Sequence, residues 1–61
     1  MTAGPDHDAV DRYVRLLRAL RDARRNDVNP LRRRAEAEFF VMDGPTAAAA
    51  VRATRAEGLD F

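Results

Sequence analysis

At 61 residues, with a net charge of +1, no cysteine and a single histidine, the chain has room for one small domain. Disulfides and thiolate metal sites are excluded, and a charge so near zero provides no global field to draw the protein onto a polyanion. A domain of about 60 residues buries only about 60% of its unfolded surface, so a partner subunit is the expected supplement to a thin core.

All eleven basic residues are arginine, which together with the abundant alanine reads as the codon usage of a GC-rich bacterial genome. No segment is long and apolar enough for a membrane span, and "MTAGPDHDAV" lacks the basic and apolar regions of a signal peptide. A cytoplasmic location and no membrane partner are expected.

In chain order, residues 1–5 are expected to be disordered. "PDHDAVDRYVRLLRALRDARR" then predicts a helix over 6–25, with Asp6 or Asp8 as N-cap and acidic groups in the first turn. At 100° per residue, Val10, Tyr13, Val14, Leu16, Leu17 and Leu20 fall within an arc of about 160°, a strongly amphipathic pattern. Arg21 and Arg24 project from the apolar side near the C-terminal end, where the helix is expected to leave the core. The apolar stripe covers about three turns, short for an independent coiled coil, so the helix is expected to pack on the rest of the domain.

"NDVNP" predicts a turn, because the residue before a proline avoids helical angles. From Ala35 the chain alternates: Ala35, Ala37, Phe39 and Val41 on one side, Glu36, Glu38, Phe40 and Met42 on the other. This predicts a strand over 35–42, apolar on both faces at its end. "DGPT" starts a second helix over 45–57, alanine-rich, with Gly58 in the position of a left-handed C-cap. "LDF" then predicts the start of a strand over 59–61.

The expected fold is therefore α+β, in the order α-β-α-β. A strand of about eight residues beside one of three cannot make a stable sheet. Either two chains pair strands to build a sheet of four, or the chain is a piece of a longer protein.

"NDVNPLRRRAEAEFFVMDGPTAAAAVRATRAEGLDF" resembles the repeating half of the RraB-type regulators, protein inhibitors of ribonuclease E. The similar parts are the approach Asp27 to Leu31, the aromatic stretch Glu38 to Met42 and the glycine exit Gly58 to Phe61. Leucine follows Pro30 where that family has arginine. The resemblance implies half of a ferredoxin-like unit preceded by an additional long helix, and a partner in RNA metabolism. "DGPTAAAAVRATRAEGLDF" is also similar to the helix of ACT domains, which implies a small-metabolite-sensing module instead.

Residues 12–34 hold nine arginines against Asp22 and Asp27. Arg21, Arg24, Arg25, Arg32, Arg33 and Arg34 are the expected contacts to an acidic protein partner, since arginine is favoured in interfaces. RNA binding by the same patch is the weaker alternative, because stacking aromatics are few. Phe40 and Met42, read as sharing the uncovered strand face, are the expected apolar part of the interface, and homodimerisation is expected. "DHD" at 6–8 reads as a helix cap rather than a metal site. Glu36 and Glu38 share one predicted strand face but read as partners of arginines. With no cysteine or serine nucleophile and no glycine-rich phosphate loop, neither an enzyme nor a cofactor is expected. The functional expectation is a small protein-binding regulator that acts by covering a partner's surface.

Overall fold

Asp6 starts the first helix: its carboxylate accepts hydrogen bonds from the N–H groups of Asp8 (3.1 Å) and Ala9 (3.2 Å). In the computed structural model, which describes residues 4–59, this helix, α1, runs His7–Asp22. Val10, Val14, Leu17 and Leu20 are buried along it, with Tyr13 and Leu16 packed at the margins of the stripe. Ala23 and Arg24 are extended, and the chain reverses into α2, Arg25–Phe40.

Helix α2 overturns the expected α+β fold. None of the described residues is in a strand, and the chain is helical from Arg25 straight through Pro30 to Phe40. The expected turn at Asn26–Pro30 and the expected strand over 35–42 are both incorrect. Proline in a helix interior removes one hydrogen bond and crowds the carbonyl four residues back, here that of Asn26. Two features outweigh that penalty. Residues 31–38 are leucine, arginine, alanine and glutamate, all strong helix formers. Val28, Leu31, Ala35, Phe39 and Met42 recur at spacings of three and four, and every one of them is buried or half-buried. The alternation that suggested a strand rested on Ala35 and Ala37, residues that favour helix over strand. The ferredoxin-like half-unit falls with it, since the strand required at Glu38–Met42 is the last turn of α2 and the turn that follows.

Helix α3 spans Gly44–Ala56. Asp43 caps it by accepting the Thr46 N–H at 2.9 Å, and proline sits in its first turn. At its far end Gly58 has φ +70°. The Leu59 N–H bonds to the Thr54 carbonyl at 2.8 Å and the Gly58 N–H to that of Arg55 at 3.0 Å, a Schellman cap. The cap turns Leu59 back into the core, where it is 1% exposed. A strand had been expected to begin there. Leu59 is a buried end to the helical unit, and Asp60 and Phe61 lie outside the described residues, as do residues 1–3 of the expected disordered stretch.

α1 is the centre of the arrangement. α2 and α3 both pack on it and scarcely touch each other. The pairing of Arg12 with Glu38 (3.8 Å) sets α2 antiparallel to α1. The Asp6 N–H donates to Thr46 Oγ1 at 3.0 Å at one end, and Arg18 meets Glu57 at the other, so α3 runs in the same direction as α1. The residues that α2 and α3 bury against α1 are small, Ala35 and Ala50 foremost, which lets both helices lie close to it.

Candidate functional site

Because α2 and α3 diverge, the surface of α1 between them is left open as a groove of about 390 Å³. Its floor is Tyr13, Leu17 and Leu20 of α1. One wall is Arg32, Ala35, Glu36 and Phe39 of α2, and the other is Val51, Thr54 and Arg55 of α3 together with Leu59. The volume lies within the range of ligand pockets, and the lining is mainly apolar with a few charged groups at the edges.

Local chemistry explains this lining. Tyr13 and Phe39 stack at 5.4 Å between ring centroids with planes tilted by 40°, a favourable aromatic geometry that fixes the α2 wall. Burial, and then the charge of Glu36, push the Tyr13 phenol above its ordinary value, so it remains a neutral hydroxyl at physiological pH. Thr54 donates its hydroxyl to the Val51 carbonyl at 3.0 Å, so this polar group is already satisfied within the helix. Among the described residues no buried side-chain polar atom lacks a partner.

The charged edges are the informative part. Arg18 binds Glu57 through two hydrogen bonds, of 2.7 and 2.6 Å, and Arg21 pairs with Asp22 at 3.2 Å. Those contacts hold the Glu57 carboxyl below the usual range, the hydrogen bonds from Arg18 leading. Arg32 and Arg55, by contrast, have no ion-pair partner among the described residues and stand on facing walls of the groove. Glu36, one turn beyond Arg32, is the single carboxylate on the lining.

The structure scatters the residues expected to form a partner surface. Of the six arginines, only Arg32 lines the groove. Arg21 is at the end of α1, Arg24 caps α2 with its backbone alone, Arg25 opens that helix, and Arg33 is exposed on α2. Arg34 faces a different cleft, on the opposite side of the α1–α2 seam. Phe40 and Met42 do not share a face. Phe40 is 89% exposed, whereas Met42 is half-buried against the core. Glu36 and Glu38 are likewise separated, Glu36 to the groove and Glu38 to the opposite seam. His7 is exposed at the first position of α1, and among the described residues no group of three or more histidine, cysteine, aspartate and glutamate side chains is placed to hold a metal ion.

Sequence reasoning missed Tyr13 and Arg55 as site residues. Tyr13 lies within the apolar arc of the first helix, which by itself marks no site residue. Arg55 carried one signal, since it and Arg52 are the only charged residues within α3 and face no acidic residue on that helix. Among the described residues no helix is long and apolar enough to cross a membrane. No family model, curated protein or solved structure matches the chain.

Proposed function

We propose that the chain is a cytoplasmic, non-enzymatic regulator that binds one amphipathic helix of a protein partner in the groove between α2 and α3. The observation that carries this reading is an apolar groove bounded by two helices and crossed by Arg32 and Arg55 on facing walls, each free of an ion pair among the described residues. A helix laid there packs its apolar face on the half-buried Tyr13, Phe39 and Val51, above the buried Leu17 and Leu20, and completes a four-helix arrangement, the common helix-in-groove mode of recognition. Arg32 and Arg55 select acidic residues on both edges of the incoming helix, while Glu36 selects a hydrogen-bond donor between them. Regulation follows from occlusion: a helix seated in the groove has its apolar face withdrawn from other partners.

The test uses two designed amphipathic peptides with the same leucine face, one edged with glutamate and the other with lysine. Titrated into the labelled protein and followed by fluorescence anisotropy, the glutamate-edged peptide is expected to bind at least about tenfold tighter, as two charge-assisted contacts imply. The Arg32→Glu/Arg55→Glu double variant is expected to reverse that preference while keeping its helical circular dichroism. Equal binding of both peptides, or a preference that survives the double charge reversal, overturns the proposal.

A further inference from the structure

A net charge near zero conceals two ends of opposite sign. α2 runs back along α1 and α3 runs with it, so the level of Val14 divides the helices into two halves. Residues 4–14 and 36–53 lie at one end, and residues 15–35 and 54–59 at the other. The first end holds Asp6, Asp8, Asp11, Glu36, Glu38 and Asp43 against Arg12 and Arg52, a net charge of −4. The second holds nine arginines against Asp22, Asp27 and Glu57, a net charge of +6. Asp60, outside the described residues, carries the remaining charge. All of the charged side chains in both halves except Glu38 are exposed.

The acidic end also carries exposed apolar surface. Phe40 is 89% and Val41 78% exposed, the two large apolar side chains so placed among the described residues, and Glu36 and Asp43 flank them in sequence. Phe39 is held on Tyr13, so Phe40, about 100° further round α2, is turned outward and away from its own groove. The groove belongs to the other end, because Arg32 and Arg55 on its facing walls are both in the basic half. One chain therefore holds an acidic apolar tip and a basic apolar groove that cannot meet within the same copy.

We infer that a second copy of this chain occupies the groove, in a reciprocal antiparallel pair in which Phe40 and Val41 of each copy enter the groove of the other. The inference rests on the reading of the groove as an acceptor for an acidic apolar helix. A two-fold axis across the long direction of the helices lays each acidic half on the other copy's basic half, whereas a parallel pair sets like charges together. In the antiparallel pair the carboxylates around the tip meet Arg32 and Arg55 of the other copy, and Phe40 and Val41 leave water. The pair closes on itself and covers both grooves. Self-pairing and capture of a foreign helix therefore exclude each other.

The experiment is sedimentation equilibrium of the whole protein over a wide concentration range at low and high salt. At low salt the mass is expected to rise with concentration from 6.8 kDa to a plateau at twice that value. Salt at about 1 M, where the screening length is about 3 Å, is expected to weaken pairing by at least about tenfold. Phe40→Ser and Arg32→Glu/Arg55→Glu are each expected to stay monomeric, and a mixture of the two is expected to pair, since it keeps one intact tip-and-groove contact. Phe40→Ser is expected to go on binding the glutamate-edged peptide, and an excess of that peptide is expected to split the wild-type pair into monomers. These side chains are exposed, and circular dichroism checks that each variant keeps its helices. A monomer at every concentration overturns the inference, and peptide binding measured beside it shows separately whether the reading of the groove stands. Pairing undiminished by Phe40→Ser or by high salt overturns it, as does a mass that climbs past the dimer without a plateau or a mixture of variants that stays monomeric. Pairing lost in Phe40→Ser but kept in the double variant overturns the groove as the acceptor.

Discussion

Replacing Pro30 by alanine should stabilise this protein, and the sign of the effect separates a helix through residues 25–40 from a turn ending at the proline. Pro30 is the sixth residue of α2, and its ring faces the carbonyl of Asn26, which has no proline N–H to accept. Proline in a helix interior is about 3 kcal/mol worse than alanine. Asn26 is exposed, however, so water takes over part of the lost hydrogen bond. Alanine also gives the unfolded chain more freedom, which offsets about 0.4–1 kcal/mol of the gain. The balance is a stabilisation of about 1–2 kcal/mol. For a domain of this size that raises the melting temperature by about 4–8 °C per kcal/mol. Thermal unfolding followed at the helical circular dichroism band, with urea unfolding as a check, measures it directly. If residues 26–30 formed a turn instead, proline would suit them, and alanine would leave stability unchanged or lower it. That result would refute the description of α2, and the groove wall built on it would have to be redrawn.

Two further effects follow from the packing and the ion pairs. Leu59→Ala removes a side chain that is 1% exposed and closes the core beside α3. Its cost is about 2–5 kcal/mol, toward the lower end because the open groove lets neighbours relax, and it is read as a lowered urea midpoint. Against a total stability of roughly 3–9 kcal/mol for a chain this short, the loss leaves little margin, and an unchanged midpoint would remove Leu59 from the core. The second effect concerns acid. Glu57 and Asp43 both have carboxyls lowered from their ordinary values of 4.5 and 3.8, by hydrogen bonds from Arg18 and from Thr46 respectively. A carboxyl with a depressed folded value stabilises fully above its unfolded value and loses that contribution as pH falls through the folded one. The melting temperature should therefore hold at pH values above those ordinary values and fall as the solution is acidified below them. Arg18→Gln should lower the melting temperature at neutral pH and show a smaller drop with acid, and a parallel drop in both proteins would rule out this pair as a source of the acid sensitivity.

Where one local rule acts alone, the chain was legible. Of the two cap candidates Asp6 and Asp8, Asp6 caps α1; the "DGPT" start resolves to a cap at Asp43, and Gly58 is found in the left-handed C-cap position expected of it. The stripe of α1 was equally plain, because six large apolar residues share one face. α2 defeated the same reading because its local signals conflict. Asn29–Pro30 argues for a turn, the Ala-Glu-Ala-Glu run mimics alternation, and the true helical stripe is diluted by the small Ala35. Only contact with α1 decides between them, and that contact is tertiary. One error of period then displaced every residue that depended on it. Residues two apart share a face on a strand but lie about 200° apart around a helix, so Phe40 parts from Met42 and Glu36 from Glu38.

The origin of the groove can be argued from the same imbalance. The large buried side chains of the helices belong to α1, whereas the ones that α2 and α3 bury are alanine and threonine. Small side chains bring a helix close to a strongly apolar neighbour but provide too little area to hold two such helices to each other. α2 and α3 are therefore each satisfied by α1 and have no comparable reason to meet. A groove with half-buried Tyr13 on its floor, above the buried Leu17 and Leu20, is the consequence, and its aromatic wall is anchored by the stacking of Phe39 on Tyr13. A fourth helix with large apolar residues supplies what α2 and α3 lack. The thin core, expected from chain length alone to need a partner, thus has a specific place where a partner's side chains would complete it.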